Sequence, residues 1–241
     1  MKKTIALAFI TMFYGFFANA DIGLNIGVSA QLGEITASGE ERNSDTQTNS
    51  ADGVGTQKTT ESGLLGTAGF FLEKDLSFLP GRAGEIGSRI SLGYDNIVHD
   101  ISLGTSNNVR AQSLGALGAD VPAGSNKLEA DVTGFETVYA QINITDWLYV
   151  KAGEVTVDVT TNFTKNGVKS TDYGTSHELS GNVYGFGVQH TADNGLFFRL
   201  EYNNYDIDGK SVTSAGSDST LTAELKDVSG DTGRISIGKA F

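Results

Sequence analysis

Apolar and polar residues alternate with period two along most of this chain. In "DIGLNIGVSAQLGEI" (21–35), Ile22, Leu24, Ile26, Val28, Ala30 and Leu32 share one face. Gly23, Asn25, Gly27, Ser29, Gln31 and Gly33 form the other. Alternation sustained over a dozen residues predicts a half-buried strand. The polar face is small and poor in Lys and Glu, unlike a solvated surface. The same signal predicts strands at 64–76, 85–96, 135–145, 147–159, 181–190, 196–207 and 233–241, which makes eight. In 147–159 the phase changes: Leu148, Val150 and Ala152 share a face, but Val155, Val157 and Val159 follow. That slip predicts a β-bulge near Gly153.

The connections fall into two kinds that alternate strictly. Residues 42–60, 105–127, 163–177 and 208–220 are long and rich in Ser, Thr, Asn, Gly and Asp. Between them stand short turns at 76–84 (with Pro80-Gly81), Thr145-Asp146 and Asp193-Asn194-Gly195. Long connections at one end and tight turns at the other mean that the two ends of the sheet face different surroundings. Pro80 and Pro122 are the only prolines, so nearly the whole chain is free to join β-ladders. Within 105–127, "LGALGA" (114–119) leaves room for a further hairpin and ten strands.

The first twenty residues follow different rules. Lys2 and Lys3, an apolar run from Thr4 to Phe17, and Ala18-Asn19-Ala20 form the three-part pattern of a secretory signal peptide. The expected domains are therefore a signal peptide at 1–20 and one β-domain at 21–241. Without Lys2 and Lys3 the mature chain has 15 Lys+Arg against 29 Asp+Glu, a formal charge of −14. So acidic a chain is not expected to bind nucleic acid. Cysteine is absent, which removes disulfides and thiolate metal sites. No later segment approaches the ~20 apolar residues of a membrane helix, but closed barrels hide their apolar signal in alternation.

Even strand number, asymmetric connections and strands longer than ~9–11 residues predict an all-β, eight-stranded antiparallel up-and-down transmembrane β-barrel. The final strand, "GRISIGKAF", ends on an aromatic while the alternation still runs. Ile235, Ile237 and Phe241 would face lipid, with Phe241 in the inner aromatic girdle. The signal peptide, the short inner turns, the terminal "SIGKAF" and "RLEYNNYDI" (199–207) resemble the small outer-membrane barrels of the OmpA/OmpX/opacity type. The resemblance covers the mature chain, without a peptidoglycan-binding domain. It implies localisation in the cell outer membrane, contact with outer-membrane lipid, and a monomer. It also implies that Phe241 is the signal read by the barrel-assembly machinery.

The polar face decides between a wet pore and a filled interior. Its charged members are Glu73, Arg89, Asp95, Lys151, Arg199, Glu201 and Arg234. Counted from the inner turns, Glu73, Arg89, Lys151, Arg199, Glu201 and Arg234 fall within roughly 10 Å of height. An eight-stranded barrel is only wide enough for side chains to fill. Charges confined there must pair, since an unpaired buried charge costs several kcal/mol. These six are expected to form a salt-bridged lumen layer.

The function expected is a structural surface protein of the outer membrane, with a largely closed lumen and long extracellular loops. The alternatives are a porin-like channel for small solutes and a loop-mediated adhesin. No enzyme is expected. His99-Asp100 and His177-Glu178 lie beside outer connections, and neighbours on a strand point to opposite faces. No metal or cofactor is expected either. "NYDIDG" (204–209) has the opening spacing of a Ca²⁺ loop, but Ala215 stands where the bidentate Glu belongs.

Overall fold

The computed structural model describes residues 22–43, 57–110, 113–114, 120–121, 124–165, 168–170, 176–213 and 221–241. The expected signal peptide and the "LGALGA" core at 115–119 lie outside them. The strands are β1 (Leu24–Asn43), β2 (Gln57–Asp75), β3 (Ile90–Ile97), β4 (Ile101–Arg110), β5 (Ser113–Leu114) and β6 (Asp120–Val121). They continue with β7 (Gly124–Asn143), β8 (Leu148–Lys165), β9 (Val168–Ser170), β10 (Ser176–Thr191), β11 (Leu196–Thr213) and β12 (Leu221–Ala240). One short helix, α1 (Arg82–Gly87), lies in the first inner turn.

Eight staves close a ring. β1 pairs with β2, β2 with β3, β3 and its continuation β4 with β7, β7 with β8, β8 with β10, β10 with β11, and β11 with β12. β12 returns to β1, and every pairing is antiparallel. Of the additional hairpin considered at 114–119, only Leu114 is described. Ser113–Leu114 pairs with Asp120–Val121 in a separate two-stranded ladder.

The register gives the shear. Paired positions lead from Leu24 through Lys74, Leu92, Ala140, Ala152, Tyr184, Asn204 and Asp231 back to β1 at Glu34, ten residues from the start. For eight strands, ~3.3 Å per residue and ~4.8 Å between strands, that stagger means a tilt of about 40°. Each residue then adds about 2.5 Å of height.

Two expectations are corrected here. Register is continuous through Gly153, which pairs with Tyr139 and with Val183, so no bulge lies there; the register shift of the β7–β8 ladder falls higher, between Val132 and Gly134 of β7. Val155 and Val157 point inward, in phase with Tyr149 and Lys151. The apparent slip is a reversal of polarity: the outward residues Glu154, Thr156 and Asp158 become polar while the inward ones become apolar. The strands also continue well beyond their predicted ends, to Asn43, Lys165 and Thr213. "NYDIDG" accordingly lies inside β11 as extended strand, and not in a Ca²⁺-type loop.

The first inner turn departs from its prediction as well. Residues 85–89 were expected to begin a strand, but Pro80-Gly81 turns the chain into α1, with Gly81 at φ +62°. The amide of Leu76 donates to the carbonyls of Gly87 and Ile90 and closes this turn. β3 therefore starts only at Ile90.

Candidate functional site in the barrel lumen

Two opposite polarity schemes are stacked in one barrel. In the inner half the outward face is apolar: Val28, Phe70, Val150, Phe186, Leu200 and Ile235 are all exposed. The matching inward face is polar and buried, with Gln31, Glu73, Gln141, Lys151, Arg199 and Arg234. Higher up the outward face turns polar at Glu34, Asn96, Glu136, Glu154, Asn182, Asn204 and Asp231. There the interior becomes an apolar core of Val132, Phe135, Val155, Val157, Leu179, Val183, Tyr205 and Ile207.

Tyr94, Tyr184 and Tyr202 are the last outward residues below the switch on their strands. Ile144, Trp147 and Phe241 mark the other rim, each about half exposed. Between these rims the apolar band is about 15 Å tall, and about 20 Å separates the inner rim from the first polar outward residues, approaching the ~25 Å of a bilayer-spanning barrel. An apolar band that runs round the outside of a closed barrel, with a polar interior, is the arrangement of a barrel set in lipid. With all backbone ladders of the band closed on themselves, no edge is presented to lipid. The chain is an eight-stranded transmembrane β-barrel.

Inside the band three acids and three bases interlock. Glu73 accepts from Arg199 Nη1 and Nη2 at 2.5 and 2.7 Å, from the Tyr139 hydroxyl at 2.7 Å and from Asn25 at 3.3 Å. Glu201 accepts from Lys151 at 2.6 Å, and from the Tyr149 hydroxyl and Asn203 at 2.8 Å. Arg234 Nη1 donates to Asp95 and lies 3.8 Å from Glu201. Arg199 also donates to Gln189 at 3.2 Å and stacks over Phe197, 4.6 Å from its centroid. Every carboxylate thus has a cation, and several remaining lone pairs have neutral donors. Only that degree of satisfaction makes a buried ionic cluster tolerable.

Five of the six predicted lumen residues meet in this cluster: Glu73, Lys151, Arg199, Glu201 and Arg234. Arg89 does not. It is exposed at the inner rim, because α1 delays the start of β3, and its guanidinium reaches only the Ile144 carbonyl at 3.4 Å. Asp95 takes part instead, at the inward position opposite Phe71 and Thr137. The exchange changes the charge balance from four bases and two acids to three of each. The alternation Ser91, Gly93, Asp95 had placed Asp95 on the inward face, but counting residues from the inner turn left it out of the layer.

Glycine makes room for the large lumen rings. Phe71 pairs with Gly27, Tyr139 with Gly93, Tyr149 with Gly187 and Phe197 with Gly238. A Cβ on any of these glycines would lie within 2.6 Å of the facing ring. Each ring therefore lies flat across a residue without a side chain, which accounts for glycine in strands whose backbone gains nothing from it.

Phe241 is an ordered part of the wall. Its amide donates to the Leu24 carbonyl at 2.8 Å, and Leu24 donates back at 3.2 Å. His99-Asp100 lies in the bend between β3 and β4 and His177-Glu178 on β10, and among the described residues no three His, Cys, Asp or Glu are grouped to hold a metal.

No protein-family model matches the chain, and no curated protein does. Among solved structures it is similar to the attachment invasion locus protein Ail of Yersinia pestis: 12% identity, 89% of this chain and 99% of that one, TM-score 0.33. It is similar to OprG of Pseudomonas aeruginosa at 13% identity, over 92% and 99% of the two chains, with TM-score 0.45. For the outer membrane protease OmpT of Escherichia coli the figures are 9%, 94%, 99% and 0.42. No activity or binding property is carried from these proteins to this one.

Proposed function

We propose that the protein is a structural surface component of the outer membrane whose lumen conducts no solutes. The observation that carries this reading is the stack of two seals. The ionic cluster fills the inner half, with Glu73 wholly buried and Arg234 and Lys151 at 4–5% exposure. Above it sits the apolar core, in which Val155 and Val183 are wholly buried. A solute would have to break paired charges and then cross a dry layer, each at a cost of several kcal/mol.

Above the band the strands rise about 25 Å further, held from inside by their own apolar core. Such a stalk presents the long outer connections clear of the lipid surface, which supports a surface role over a transport role. The reading includes no catalysis, because the buried carboxylates are all engaged by cations in the lumen. It includes export by a signal peptide at 1–20, a monomeric barrel, and delivery to the assembly machinery through the strand ending at Phe241. Liposome swelling tests it. Vesicles carrying the folded protein should swell in small sugars or amino acids no faster than empty ones, and rapid swelling would refute it.

A further inference from the structure

Above the lipid band, among the described residues, no ladder closes the wall between β2 and β4. β2 pairs with β3 from Asp75↔Ser91 up to Gly69↔Ile97, and among the described residues no ladder joins β2 to β4 beyond that point. β4 follows β7 instead, from Ile101↔Val132 to Arg110↔Gly124. The chain breaks stride at Val98–Asp100, between the two strands. β4 is thus an arm carried by β7 and hinged where β3 ends. The seam beside it lies next to Leu65 and Thr67, inward residues of β2 that are 3% and 6% exposed.

Two bonds at the base of the seam extend the β2–β3 ladder by one rung. The Val98 amide donates to the Ala68 carbonyl at 3.3 Å, and the Ala68 amide donates to His99 Nε2 at 3.1 Å. An imidazole stands where the next backbone carbonyl would be. Its Nδ1 lies 3.1 Å from the carbonyl oxygen of Asp100, a group that only accepts. Nδ1 therefore carries the proton and Nε2 offers its lone pair to Ala68. The ring is exposed, so protons from the medium reach it.

Protonation would abolish this geometry. The imidazolium has N–H on both nitrogens, and its Nε2–H would face the Ala68 N–H. The charged groups around the hinge are Asp100 beside His99, Glu136 opposite Asn96, and Asp131 opposite Ser102 on β7. β2 contributes none between Leu64 and Leu72. We propose that His99 is a pH-dependent latch: the neutral ring holds the β4 arm against β2, and the protonated ring releases it. Acid would then open the wall of the extracellular stalk from the seam downward while the membrane-embedded half stays shut.

Hydrogen exchange of the full chain in lipid nanodiscs, corrected for intrinsic rates, tests the latch at about pH 8 and about pH 5. Protection of the Ala68 amide should fall about five- to tenfold in acid, the loss of one hydrogen bond, with β11 amides unchanged as a control for global unfolding. His99→Gln, whose side-chain oxygen accepts at either pH, should keep Ala68 protected under both conditions. His99→Ala should lose protection under both. Equal protection of Ala68 at the two pH values in the wild type would overturn the proposal. So would an acid-induced loss of the same size in His99→Gln, because the titrating group would then lie elsewhere.

Discussion

Glu201 stands directly across the ladder from Arg234, yet its close partner is Lys151, two strands away in the other direction, at 2.6 Å. Lys151 crosses β10 because the inward positions there are Gly185 and Gly187, and its Cγ would lie 3.1 Å from a Cβ on Gly185. Arg234 is left to serve Asp95. The pairing is thus set by where glycine clears the way, and not by nearest register. Glu201→Gln should strand the Lys151 ammonium in a dry layer and cost about 3–5 kcal/mol. Urea titration of the heat-modifiable gel shift measures it. Adding Lys151→Met should restore much of the loss, and a double variant less stable than Glu201→Gln alone would contradict the pairing.

Gly93 and Tyr139 face each other, and a Cβ on Gly93 would fall 2.3 Å from the ring. Gly93→Ala should displace the ring, break the Tyr139–Glu73 hydrogen bond and destabilise the barrel by about 1–3 kcal/mol. The same change at Gly63, where nothing lies within 4 Å of the new Cβ, should be nearly silent. Equal unfolding midpoints for the two variants would remove the role given to glycine.

Much of the inner half was legible in the sequence, because lipid outside and a polar lumen inside write a clean two-residue period. Ile26/Gly27, Phe70/Phe71 and Leu200/Glu201 fall as their alternation predicts. The outer half was misread for the same physical reason. Once the strand leaves lipid, water takes the outward face and the core takes the inward one, so the period persists while its polarity flips. On β8 that flip between Ala152 and Val155 imitated a bulge, and on β11 it made Asp208 look like the start of a loop. Arg89 was misplaced because alternation runs unbroken from Glu85 to Asp95 and gives no sign of α1. Salt-bridge partners were not readable at all, since they depend on the shear.

The polarity inversion predicts depth. Trp147 is the only tryptophan, so a Trp147→Phe background permits single reporters. Phe186→Trp should emit in the blue and be quenched by brominated acyl chains. Thr156→Trp, two outward positions above Ala152, should emit in the red and resist quenching. Similar quenching of both would mean that the band extends past the switch residues.

Phe241 closes the ring through its backbone and holds the inner girdle through its side chain. Its deletion removes both backbone bonds to Leu24, and Phe241→Asp puts a charge at the rim. Both variants should reduce the folded, heat-modifiable form in membrane fractions, the deletion more strongly. Wild-type yields for both would show that neither contribution matters for assembly.

The central claim is that paired charges and an apolar core shut the lumen. Single-channel recording of the folded wild-type protein in a planar bilayer tests it most directly. The predicted result is a bilayer that remains at its baseline conductance across repeated insertions. A steady, ohmic conductance that scales with the amount of folded protein would contradict it, and would mean that Glu73, Asp95, Lys151, Arg199, Glu201 and Arg234 line water.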